Sequence, residues 1–206
     1  RYTVNDGSVN NWTLQVVANY GKSLTPVSAG GLSYATGNAR VSAKPDAAGN
    51  ASTRTVTEQI DAFLASGSFA ATDVVMVSGG VSDVIAGMAA VNAGTLTQDA
   101  MVAAARKAGE DLAAQVRRLV TAGAKYVVVT GTYDLSKTPW AKAIGREALL
   151  SNASSRFNEG LLVGIVDLGA NVLYVDSAYY VNLYTSVPGN YCLLYTSDAA
   201  DDMQCV

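Results

Sequence analysis

Apolar positions along this chain recur at two spacings, short unbroken runs and a three-to-four-residue period, and the alternation between them lays out the elements. Residues 72–83, TDVVMVSGGVSD, organise the rest. Val74, Val75, Met76 and Val77 form a short continuous apolar run, the pattern of a strand covered on both faces within a parallel sheet. Gly79 and Gly80 follow, and without a Cβ they let the backbone bend sharply and approach a ligand closely. Ser82 and Asp83 then fall at the carboxyl end of the strand, where open α/β sheets place their binding crevice. Asp83 is equally suited to capping the helix that comes next.

The same reading extends over the chain. Asn10 or Asn11 caps a first helix with Trp12, Val16, Val17 and Tyr20 on one face, closed by Gly21. A short strand is predicted over 24–29, delivering a loop with two glycine-bearing turns, GGLSYATGNA. Residues 41–54 are polar and broken by Pro45 and Gly49, as in a surface excursion. Thr55 and Glu58 stand in capping-box spacing ahead of a helix whose buried stripe is Val56, Ile60, Phe63 and Leu64. A short helix or lid is expected over 84–91. A long helix boxed by Thr95 and Gln98 follows, stopping at Gly123. KYVVVT over 125–130 is the next buried strand, followed by a polar loop over 131–139. One helical stretch is predicted over 142–168. Residues 171–176 make the last strand, and Tyr179, Tyr180, Leu183 and Tyr184 lie on a closing helical segment. Strands alternating with helices predict an α/β fold with a parallel sheet between helical layers.

Composition narrows the function classes. The chain has 206 residues, enough for one ordinary domain, and 50% of them are hydrophobic, which is globular rather than disordered. A net charge of −3 gives no electrostatic footprint for nucleic acid, and no apolar run reaches the roughly 20 residues of a membrane helix. Arg106, Lys107, Arg117 and Arg118 fall opposite Met101, Ala105, Ala108, Leu112, Val116 and Leu119 at helical spacing, so they form a solvated face. There is no histidine, which rules out a Ser-His-Asp triad drawn from these residues and removes the commonest metal ligand. No metal site and no cofactor are expected. Both cysteines, Cys192 and Cys205, lie in the last stretch. CLLYTSDAADD, residues 192–202, resembles the in-frame translation of a transposon-end adapter from DNA library preparation. Residues 192–206 are therefore expected to be a non-native tail, with the protein's own sequence breaking off near Tyr191.

Three segments converge on one crevice: the loop over 30–40, the turn over 79–83 and the loop over 131–139. Together they resemble the SGNH or GDSL family of lipases and esterases. GGLSYATGNARV, residues 30–41, is similar to that family's second block, and Gly37 matches the glycine whose backbone N–H faces the oxyanion. VSGGVSD, residues 77–83, resembles the third block, with Ser82 where an asparagine is usual. Residues 122–140, the pair Phe157 and Asn158, and residues 175–191 are similar to the segments that follow. The likeness spans nearly all of residues 1–191. It implies a three-layer αβα, flavodoxin-like domain that is truncated. The Gly-Asp-Ser block and the Asp-x-x-His block that carry the family's nucleophile and base have no counterpart here. Ser8, in Asn5-Asp6-Gly7-Ser8, has the wrong order for the nucleophile and reads as turn chemistry.

The resemblance implies a fragment of a secreted or cell-envelope bacterial serine ester hydrolase acting on a small ester or lipid through an acyl-enzyme. Gly37 and Ser82 would then form the oxyanion hole, with Gly79, Gly80 and Asp83 lining the crevice. With no nucleophile or base, the chain by itself is expected to be inactive. The rival expectation is a non-catalytic domain on the same scaffold that binds a small ligand or glycan in the crevice.

Overall fold

A computed structural model of the protein describes residues 11–191. Ser8, Cys192 and Cys205, and with them the proposed tail, lie outside those residues. The described part is mixed α/β, with one three-stranded sheet and seven α-helices. Strands β1 (Val74–Ser78), β2 (Tyr126–Thr130) and β3 (Val172–Val175) lie side by side in that order. Both pairings are parallel, with Val75 opposite Val127, Val77 opposite Val129, and Val129 opposite Tyr174. The three apolar runs read from the sequence are these three strands.

The expectation that both faces of the sheet are covered holds for one. Val77, Val127 and Val129 point into the core and are buried. On the opposite face Val74, Tyr126 and Leu173 are 56%, 54% and 61% exposed. Side chains alternate along a strand, so this is one layer well covered and the other only partly so. β1 is also an edge, since only β2 pairs with it among the described residues.

The covered face is packed by two long helices, α4 (Gln98–Thr121) and α6 (Glu147–Ile165). Met101, Ala105, Ala108, Leu112, Val116 and Leu119 are the buried stripe of α4, as its period requires. Its basic residues sit on the outer face in ion pairs: Arg106 with Glu110 and Glu159, Lys107 with Asp111, Arg117 with Asp167, and Arg118 with Asp61. The two helices approach closely because glycines face the contact. A Cβ on Gly109 would stand 2.0 Å from the Phe157 carbonyl oxygen, and one on Gly160 2.4 Å from that of Arg106.

The remaining helices are α1 (Trp12–Asn19), α2 (Val56–Leu64), α3 (Val81–Asn92), α5 (Pro139–Ile144) and α7 (Ser177–Ser186). Asn11 caps α1 by accepting from the Leu14 amide, and the capping box of Thr55 and Glu58 opens α2. Four expectations need correction. Residues 24–29 are no strand: a lone bridge joins Pro26 to Ser33 and a 3₁₀ turn fills Val27–Ala29, because no neighbouring strand among the described residues offers a ladder. Thr97, not Thr95, caps α4, and the Thr95 hydroxyl donates to Ala90. The stretch predicted as one helix over 142–168 is two, because Gly145 at φ 62° ends α5. Residues 41–54 also contribute to the interior. Val41 is fully buried, and buried Asp46 accepts from the Ala48 and Asn50 amides and the Thr53 hydroxyl. Those bonds, the Thr53 hydroxyl first, hold its carboxyl below the usual carboxylate value.

Two principles disagree about Gly109. Helix propensity alone says that Gly109→Ala stabilises by about 1 kcal/mol. The contact says the new methyl forces α4 and α6 apart, which costs about 1–3 kcal/mol. We expect the contact to win, seen as a lower urea midpoint. An unchanged or raised midpoint would remove the close crossing from this description.

Candidate functional site

The carboxyl end of β1 is shaped by Gly80. Its φ of 112° suits a residue without a side chain, and a Cβ there would lie 2.6 Å from the Phe157 ring. The turn throws the chain straight into α3, which no side chain caps among the described residues. Val81, Ser82 and Asp83 form its first turn, so backbone N–H groups and the positive end of the helix dipole lie at this end of the sheet. Ser82 is half-buried and lines a cavity of about 490 Å³ together with Gly79, Gly80 and Gly131. Among the described residues its hydroxyl has no hydrogen-bond partner, leaving it available to a ligand.

Asp83 takes a different direction. Its carboxylate is buried and accepts from the Val41 amide at 3.1 Å and from Arg40 Nε at 3.3 Å. It is not among the residues lining the cavity. It neither faces the crevice nor caps α3; it fastens the end of the 30–40 loop to the helix. The Arg40 carbonyl accepts from the Val56 amide, and the Val41 carbonyl from the amide and hydroxyl of Thr57. Arg40 and Val41 are thus stitched to the starts of both α2 and α3. Burial is the largest influence on the Asp83 carboxyl and raises its pKa, against the lowering pull of the Val41 amide and Arg40.

The loop held in this way turns at Gly37 and Asn38, and Asn38 has a left-handed φ of 62°. Thr36 and Asn38 line the cavity on either side of half-buried Gly37. The third segment is fixed by Asn158, whose side chain accepts from the Thr132 amide at 3.0 Å and donates to the Thr132 carbonyl at 2.8 Å. Ser154 on the same helix accepts from the Leu135 amide. Gly131 sits against Asn158 so closely that a Cβ would meet Oδ1 at 2.2 Å.

The structure therefore gathers Gly79, Gly80, Ser82, Gly131 and the flanks of Gly37 around one cavity, and turns Asp83 away from it. Reading the sequence missed Arg40 as the partner of Asp83 and Asn158 as the clamp on the 131–139 loop. The signal for Asn158 was present: a polar residue set among Phe157, Leu161 and Ile165 on the buried stripe of α6. Chemically, the site offers a free hydroxyl, uncapped amides and a helix amino end, which suit an oxygen bearing or developing negative charge. Among the described residues no group of three or more His, Cys, Asp or Glu is placed to hold a metal ion.

The raised Asp83 pKa fixes a sign. The folded chain binds this proton more tightly than the unfolded chain. The stabilisation is therefore complete below the ordinary value of 3.8 and is lost as pH rises through the folded value. Unfolding free energies of the protein and of Asp83→Asn, measured in urea between pH 3.5 and 7, isolate this group. The advantage of the native chain over the variant should shrink as pH rises; a growing advantage would mean that Arg40 outweighs burial. A search against protein-family models finds no match to this chain, and no curated protein matches it.

Proposed function

We propose that the cavity at the carboxyl end of β1 is the oxyanion side of a serine ester hydrolase site, in a domain of three-layer αβα, flavodoxin-like design. The observation that carries the reading is the convergence of Ser82 and the Gly37 turn on one cavity, in the order and spacing of the second and third blocks of the SGNH family. In such a site a serine activated by histidine attacks an ester carbonyl. The donors here would then stabilise the charge that develops on its oxygen. Ser82 in place of asparagine keeps one donor on a shorter, freely rotating arm. Asp83 contributes indirectly, by holding the Gly37 loop against α3. The nucleophile and base belong to parts of the family pattern that this sequence does not contain, so the chain alone turns over no ester. A small ester or lipid is the substrate class, and a secreted or cell-envelope setting follows from the resemblance.

A second reading, a non-catalytic domain binding a small ligand or glycan, is favoured by the size of the cavity and the lack of any histidine. A tetrahedral anion separates the two. Titrated into the labelled protein, a short alkyl phosphonate should shift the backbone amide resonances of Gly37 and Ser82. Ser82→Ala should weaken its binding about tenfold, the worth of one hydrogen bond to a charged group. A short-chain nitrophenyl ester should show no turnover above background. Phosphonate shifts confined to other residues would contradict the ester reading, as would turnover abolished by Ser82→Ala contradict the inactivity of the chain.

A further inference from the structure

Three Asn-x-Ser/Thr triplets occur in the chain: Asn11-Trp12-Thr13, Asn50-Ala51-Ser52 and Asn152-Ala153-Ser154. The triplet is the acceptor pattern for an N-linked glycan, and a pattern this short also recurs by chance. The folded chain treats the three differently. An acceptor asparagine needs an exposed side chain, a hydroxyl two residues on that can reach its amide, and room for a bulky sugar.

Asn152 lies within α6, and Ser154 is buried there, its hydroxyl accepting from the Leu135 amide. Asn11 caps α1: its Oδ1 accepts from the Leu14 amide at 3.0 Å and the Thr13 hydroxyl at 2.7 Å. Trp12 and Thr13 are already helical. Presenting either triplet to an enzyme would cost a cap or a helical turn.

Asn50 has no such duty. Residues 48–52 are exposed and lie outside any helix or strand. The turn is fixed at its base by buried Asp46, which accepts from the Ala48 and Asn50 amides, while its own amide donates to the Asn50 carbonyl. Asn50 Oδ1 accepts from the Ser52 amide at 2.9 Å and from the Ser52 hydroxyl at 2.8 Å. That sets the oxygen toward Ser52, and among the described residues Nδ2 has no partner. A Cβ on neighbouring Gly49 would meet nothing within 4 Å, so the space beside the turn is open. No residue from 40 to 55 lines the cavity, so a sugar on Asn50 attaches away from it.

We propose that Asn50 is an acceptor for an N-linked glycan, and that of the three triplets it is the one the folded chain presents. The co-reactant is a lipid-linked oligosaccharyl diphosphate, brought to an exported chain by a membrane transferase. Asn50 Nδ2 bonds to C1 of the sugar as the bond from C1 to the diphosphate oxygen breaks. The lipid diphosphate leaves with that electron pair, and a proton of Nδ2 passes to a base of the transferase. The two donors on Oδ1 favour the negative charge that gathers there as the proton departs. The chemistry stands on the turn alone, and its occurrence in the cell rests on the secreted setting proposed above.

The full chain is incubated with a purified oligosaccharyltransferase that requires only Asn-x-Ser/Thr, and with prenyl-diphosphate chitobiose. Synthetic peptides of residues 47–55 and 149–157 are treated alongside, and mass spectrometry of digests reads each asparagine. Asn50 should be modified in the chain at a rate close to that in its peptide. Asn152, which needs α6 to open locally, should be modified at least tenfold more slowly than in its peptide. Ser52→Thr should keep the modification of Asn50, and Ser52→Ala should abolish it. Asn11 or Asn152 modified in the chain as fast as Asn50 would overturn the proposal. So would an Asn50 left unmodified, in the chain or in its peptide, or modification that survives Ser52→Ala. Ester turnover and phosphonate binding play no part in the readout, so the two proposals fail separately.

Discussion

One turn of α6 holds the cavity end of this molecule together. Phe157 packs its ring where the missing Cβ of Gly80 would be, and its carbonyl oxygen lies where that of Gly109 would be. One residue on, Asn158 grips the peptide at Thr132, and Gly160 lets α4 come close enough for the whole arrangement to fit. The turn after β1, the loop after β2 and the long helix between them all take their positions from these few residues. The contacts at Gly109 and Gly160 are short and to backbone, so neither has a flexible side chain to absorb an error. A methyl group added at any of the three glycines would be transmitted to the cavity, as close-packed interiors transmit strain.

The second constraint acts from the other side. Asp83 has few ways to be satisfied once buried, and it takes the amide of Val41 and the guanidinium of Arg40. Because Arg40 and Val41 are also bonded to the start of α2, the carboxylate joins three separate segments at one point. Such a buried group specifies an arrangement more than it adds stability, since desolvation offsets much of the attraction. The loop carrying Gly37 is held beside Ser82 in this way by a residue that never faces the cavity.

Much of this was legible in the sequence, and the remainder was hidden for physical reasons. Val74–Ser78, Tyr126–Thr130 and the stripe of α4 announced themselves because local apolar pattern and burial agree there. Residues 24–29 have strand-like composition but, among the described residues, no strand to pair with, and pairing is a non-local fact. The bareness of Val74, Tyr126 and Leu173 was unreadable for the same reason: an apolar run says that a residue can be covered, not that something covers it. At the site, glycines and small polar residues marked the right turns. The direction of Asp83 depends on Arg40, 43 positions away, and no local spacing encodes that.

The central claim, that Ser82 and the Gly37 turn are half of an ester-hydrolysing site, depends on what the gene encodes around this chain. The direct measurement is resequencing of the source DNA across both ends by a method free of transposon adapters. The account predicts a strand ending in Gly-Asp-Ser ahead of Arg1 and an Asp-x-x-His segment following Tyr191. A start codon close to Arg1, with the cysteine-bearing tail proved genuine, would contradict it and leave the cavity as a binding site.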